Sequence, residues 1–143
     1  MSFLSKILGY RDFSKKNEIL EELRKYKFEK FGDSENLDDT HHLIFFKTRR
    51  QQTWLVATNQ NLYCVLDDIS LNTFDIKWNI SKQNLIDQDK VILTISVDSE
   101  YSENSGKINF GERHKGWLYS KSIFKEPKEL KQAIHNLLMS AMT

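Results

Sequence analysis

A chain of 143 residues, 39% hydrophobic, 12% aromatic and 29% charged, has the size and balance of one folded domain that buries a core without staples. Its formal net charge of +1 excludes a whole-protein electrostatic affinity for nucleic acid or acidic membranes, so any charged partner must meet a local patch. Cys64 is the only cysteine, which excludes an intrachain disulfide and a cysteine-cluster metal site.

No segment approaches the roughly 18 consecutive apolar residues of a membrane-spanning helix. The first ten residues lack the basic start and long apolar core of a secretory signal, so the expected location is cytoplasmic, with peripheral membrane attachment as the variant. Phe3, Leu4, Ile7 and Leu8 share one face of a short helix. That face is a candidate to dock on the chain's own domain, on a partner or on a membrane surface.

The spacing of Ile19, Leu20, Leu23 and Tyr26 predicts a helix from about Ser14, a plausible N-cap, to Tyr26. Glu18, Glu21 and Glu22 precede Arg24, Lys25 and Lys27, an order that suits the helix dipole. Phe31 to Thr40 reads as a polar, acidic loop. Its carboxylates lack the ligand alternation and closing glutamate of a calcium-binding loop. Residues 1–40 are thus expected to form a helix and loop packed on a main domain of residues 41–143.

From His41 the texture becomes β. Leu43–Phe46 and Thr53–Ala57 are short apolar runs joined by Lys47-Thr48-Arg49-Arg50-Gln51-Gln52, which reads as a hairpin connection. The turn Thr58–Asn61 leads into Leu62–Leu66, an apolar strand that contains Cys64, read as a buried and inert thiol. Phe74, Ile76, Trp78 and Ile80 alternate with polar neighbours, as do Val91, Leu93, Ile95 and Val97, the period of half-buried strands. Ile108–Phe110 and Trp117–Tyr119 complete about seven strands. Short turns between them imply antiparallel pairing.

Pro127 fits the first position of a C-terminal helix. Leu130, Ala133, Ile134, Leu137, Leu138 and Ala141 form one apolar stripe along it. That stripe needs a sheet to cover. The sequence alone therefore predicts a mainly β domain closed by an amphipathic helix.

This order resembles the pleckstrin-homology-like superfold, in its bacterial and GRAM-type branches, over roughly His42 to Met142. The resemblance rests on Thr53-Trp54-Leu55-Val56-Ala57-Thr58-Asn59-Gln60-Asn61-Leu62-Tyr63-Cys64-Val65 and on Gly116-Trp117-Leu118-Tyr119 through Leu138. It implies an antiparallel β-barrel capped by the C-terminal helix, with the N-terminal helix as an addition. It also implies binding rather than chemistry, with phosphoinositides for some members and peptides or protein surfaces for others. Lys47 matches the first-strand lysine of lipid-binding members. Gln51, Gln52 and Thr53 stand where those members carry further basic residues, and the terminal helix lacks their tryptophan.

Lys47, Arg49 and Arg50 form the densest basic run, and arginine suits bidentate contact with phosphate. Lys115, Lys121, Lys125 and Lys128 make a second, thinner basic region. His41 and His42, with Asp38 and Asp39 nearby, invite a metal, but adjacent strand residues face opposite ways. His114 and His135 show no ligand spacing. No phosphate-binding glycine loop, nucleophile elbow or helical His-Glu-x-x-His occurs. The expectation is a non-catalytic binding module with no cofactor or metal and a protein as partner. An anionic lipid surface is the alternative, and an enzyme with an unrecognised site the second one.

Overall fold

The computed structural model describes residues 16–31, 40–111 and 115–142. The chain divides into two compact units, Met1–Leu37 and Asp38–Thr143. Phe3, Leu4, Ile7, Leu8, Ser14, Asp38, Asp39 and His114, and most of the acidic loop, lie outside the described residues.

In the first unit, α1 (Lys16–Phe31) runs five residues past the predicted end. Ile19, Leu20 and Leu23 are buried, as their spacing requires. Its polar side carries the short ion pairs Arg24–Glu21 at 3.2 Å and Lys25–Glu22 at 3.7 Å. Such exposed pairs contribute only a few tenths of a kcal/mol each.

The second unit is mainly β. β1 (His41–Lys47), β2 (Gln51–Ala57), β3 (Asn61–Asp68) and β4 (Thr73–Ser81) form an antiparallel meander in chain order. β5 (Ile86–Asp87) and β6 (Lys90–Val91) form a minimal hairpin. β7 (Ile95–Asp98), β8 (Ser105–Phe110) and β9 (Lys115–Ser120) form a second meander, and α2 (Pro127–Met142) follows. Among the described residues the strands thus make three separate antiparallel sheets, not one continuous closed ladder.

Residue alternation decides what each strand buries. Leu55, Ala57, Leu62, Cys64 and Ile80 join Phe45, Ile108, Phe110 and Tyr119 in one core. Leu130, Ile134, Leu137, Leu138 and Ala141 of α2 enter the same cluster, so the helical stripe rests on the sheets as its spacing predicts. Trp54, Val56, Tyr63 and Val65 alternate with these core residues along β2 and β3 and are buried as well. Both faces of the central strands are therefore withdrawn from water, which is why they read as continuous apolar runs.

Two strand expectations need correction. The predicted strand Val91–Val97 is broken, because the N–H groups of Ile92 and Leu93 both donate to the Leu85 carbonyl, at 2.8 and 3.3 Å. That bond pulls residues 92–94 out of the ladder, leaving Val91 in β6 and Ile95 in β7. The hairpin β5–β6 raises the strand number from about seven to nine. It turns through Gln88 and Asp89, both left-handed at φ 48° and 63°, a conformation that favours Asn-Gly in two-residue hairpins. The double substitution Gln88→Asn, Asp89→Gly is expected to stabilise the protein by about 1 kcal/mol, since relief of the left-handed penalty of roughly 1–2 kcal/mol per residue outweighs the freedom glycine adds to the unfolded chain, read as an upward shift of the urea midpoint with an unchanged slope.

Candidate functional site

The basic run is a tight exposed turn. The Thr48 N–H donates to the Gln51 carbonyl at 2.8 Å, and the Thr48 hydroxyl accepts from the N–H groups of Arg50 and Gln51 at 3.3 and 3.1 Å. Arg49 and Arg50 are exposed. Lys47 sits apart from them at the end of β1, where its N–H donates to the Ser120 hydroxyl at 2.9 Å. That hydroxyl donates back to the Lys47 carbonyl at 3.3 Å. This exchange ties β1 of the first meander to β9 of the second.

The Ile69 N–H donates to the Arg50 carbonyl at 2.7 Å, joining the basic turn to the β3–β4 turn. There the Asp68 carboxylate accepts from the Ser70 hydroxyl at 2.7 Å and the Leu71 N–H at 3.0 Å. These bonds, the Ser70 one foremost, hold its carboxyl below the usual aspartate range. Leu71 is 71% exposed beside them. The tip thus carries two arginines, an ionised aspartate and one apolar side chain in water.

The structure disperses the other sequence candidates. Lys115 begins β9 and Lys121 follows its last residue, where the Lys121 ammonium donates to the Ser102 carbonyl at 2.6 Å. Lys128, in the first turn of α2, pairs with Glu126 just before it, both exposed. His41 and His42 sit opposite Ala57 and Val56 as successive residues of β1, and the His42 ring meets Trp54 edge-on at 5.4 Å. Among the described residues no group of three or more His, Cys, Asp or Glu is placed to hold a metal ion. Cys64 is fully buried, and desolvation pushes its thiol far above the usual range. Among the described residues no helix is long and apolar enough to cross a membrane.

Sequence reasoning missed a cleft of about 630 Å³. The sheet orders leave β4 and β7 as edges, and the cleft lies between the end of β4 and the corner of the second meander. One side is Asn79, Ile80 and Ser81, followed by Asn84; the other is Ile92, Leu93 and Thr94, and Phe110, Gly111 and Lys115 also line it. Gly111 has φ 84° and donates its N–H to the Thr94 carbonyl at 2.7 Å, a left-handed position that glycine occupies without strain.

The register fixes what β4 offers to this cleft. The Lys82 N–H donates to the Gln60 carbonyl at 2.8 Å, and Asn61 pairs with Ser81 and Tyr63 with Asn79. In an antiparallel ladder this makes Asn79 and Ser81 the positions whose N–H and C=O point away from β3. The Asn79 carbonyl does so visibly, accepting from the Lys115 ammonium at 3.1 Å. Close by, the Trp78 indole N–H donates to the Gly116 carbonyl at 3.4 Å. Among the described residues the cleft therefore combines the edge of β4, a mixed apolar and amide lining, and the Lys115 ammonium.

No family model matches this chain, and no curated protein and no solved structure matches it.

Proposed function

We propose that this chain is a binding module that takes an extended segment of a protein partner into the cleft between β4 and the Ile92–Thr94 wall. The observation that carries the reading is the edge of β4 at Ser81, a position whose main-chain groups the register turns away from β3 beside a space of about 630 Å³. A sheet edge is a template for strand addition, with affinity from main-chain bonds and selectivity from alternate side chains. The volume lies within the range of sites that hold small ligands or a few residues of peptide. A four-stranded meander, a three-stranded meander and a terminal helix in that order also support the resemblance to the pleckstrin-homology-like superfold and its binding roles.

A second reading is favoured by the tip. Exposed Leu71 and the two arginines on adjoining turns have the composition of a foot that meets an anionic lipid surface. Its strength would be small, since each basic residue near such a surface contributes about 1 kcal/mol.

One comparison separates the two. A random nonapeptide phage library is panned against the full chain, and selected peptides are mapped by amide chemical shifts. Vesicles containing phosphatidylserine are sedimented with the same protein at low salt. Peptides that shift the amides of Asn79–Ser81 and Ile92–Thr94 support the cleft reading; no peptides, or shifts only elsewhere, overturn it. Co-sedimentation lost on Arg49→Glu or Leu71→Ser would make the tip the functional surface instead.

A further inference from the structure

Three turns of the second unit meet at one end, around Ser120. The Ser120 hydroxyl accepts from the Lys47 N–H at 2.9 Å, just before the basic turn, and the Arg50 carbonyl of that turn holds the β3–β4 turn through Ile69. Ser120 also pairs with Ser105 across the second meander, and the Lys121 N–H donates to the Asn104 carbonyl at 2.9 Å. These bonds bring the β7–β8 turn, residues 99–104, to the same end as the basic one. The two sides of this end differ in charge. Arg49 and Arg50 are exposed on one, where the Asp68 carboxylate is engaged by Ser70 and Leu71. Asp98, Glu100 and Glu103 are exposed on the other. The lysines there are engaged, Lys107 over the Tyr101 ring at 5.4 Å and Lys121 on the Ser102 carbonyl at 2.6 Å. One side is net basic and the other net acidic. Among the described residues the exposed large apolar side chains are Leu71, Ile92 and Tyr101, so each side also carries one of them.

From this pairing of charges we infer that the end is a self-complementary surface on which a second copy of this chain docks about a twofold axis. Arg49 and Arg50 of each copy then face Asp98, Glu100 and Glu103 of the other. A twofold satisfies both sets at once, because both lie at one end of the same copy, and it closes the assembly at two. Opposite potentials across such a contact steer encounter and fix its register. Arginine and tyrosine are the side chains that protein interfaces favour over the rest of a surface, and Leu71 and Tyr101 lose water in the same contact. An anionic membrane fits this end less well, since it attracts the arginines and repels the three carboxylates at the same end. The surface shares no residue with the cleft lining, so it lies beyond the peptide site and either can fail alone.

Sedimentation velocity of the full chain, from about 1 μM to about 1 mM at low salt, tests this. The expected result is a monomer–dimer equilibrium with no larger species, weakened about tenfold or more as salt rises from about 0.05 M to about 0.5 M. Arg49→Glu with Arg50→Glu sets like charges across the twofold and is expected to leave a monomer, as is Glu100→Arg with Glu103→Arg. Mixing these two variants in equal amounts is expected to restore the dimer, because each then meets its complement. All four positions are exposed, and amide spectra of the separate variants confirm that both are folded. A wild-type chain that stays monomeric over the whole range overturns the proposal. So does a dimer that survives either reversal, or a pair of folded variants that fails to recover on mixing. Co-sedimentation with phosphatidylserine vesicles that Arg49→Glu abolishes, in a chain that stays monomeric, would assign this end to a membrane instead.

Discussion

Leu138→Ala is expected to destabilise the protein by about 2–5 kcal/mol, the largest loss from any single truncation in α2. Leu138 is fully buried, as are Ile134 and Leu130 one and two helical turns before it. The helix lies against β1, β2, β6 and β7, so its apolar stripe serves both meanders and the short hairpin, and Leu138 belongs to the core they share. On the outer side Lys131, Gln132, His135 and Asn136 are exposed, and alanine at those positions is expected to move stability by no more than about 0.5 kcal/mol. Ile134→Ala with Leu138→Ala is expected to abolish cooperative unfolding, because α2 would then lose the two residues that anchor its middle. Tryptophan fluorescence in urea reads all of this, since Trp54, Trp78 and Trp117 report from both meanders. A loss below about 1 kcal/mol for Leu138→Ala would mean that the helix is not part of the core.

Much of this arrangement is legible in the residues, and the reasons are local. The stripe of α2 has one polar side and one apolar side, so its period declares its face. β4 is an edge strand with strict alternation, and its bounds differ from those expected by one residue at each end. β2 and β3 show their strand character through composition, yet not which side faces the core, because Trp54 and Leu55 are equally buried. The hairpin β5–β6 has two residues per strand, too short for any period to register. Alternation from Val91 to Val97 also suggests a continuous strand, since nothing in the residue types announces that the Leu85 carbonyl captures two N–H groups.

The candidate site was legible only in fragments for a related reason. The basic turn is contiguous in sequence, so Lys47, Arg49 and Arg50 stand out, although Lys47 proves to be committed to Ser120 through its main chain. The cleft depends on Lys115 reaching a residue 36 positions earlier, through a carbonyl that every amino acid possesses. Side-chain identity carries no trace of that contact. Only the pairing register of β3 with β4 reveals that the Asn79 carbonyl faces outward. The sole sequence signal was a lysine in a thin basic series whose other members lie elsewhere.

The second large effect is expected at Gly106, where alanine should cost about 1–3 kcal/mol by overpacking. Gly106 pairs with Tyr119 across β8 and β9, and the tyrosine ring lies directly over it. A Cβ at Gly106 would sit 2.3 Å from Cε1 and 2.5 Å from Cζ of that ring, well inside contact distance. The ring has nowhere to go, since Tyr119 is fully buried within the core cluster. Its hydroxyl is buried with no hydrogen-bond partner, and burial, with a smaller push from Asp98, raises the phenol above the ordinary tyrosine range. A stranded hydroxyl of this kind costs about 1–3 kcal/mol against a partnered one. Tyr119→Phe is therefore expected to be neutral or mildly stabilising, because it removes the hydroxyl and keeps the ring over the glycine. Tyr119→Leu is expected to destabilise through lost packing, and in that background Gly106→Ala should cost less than about 0.5 kcal/mol. This double-mutant cycle isolates the ring–glycine contact from the flexibility that alanine removes from the strand. An equal cost for Gly106→Ala in both backgrounds would show that the backbone, and not the tyrosine ring, demands glycine at this position.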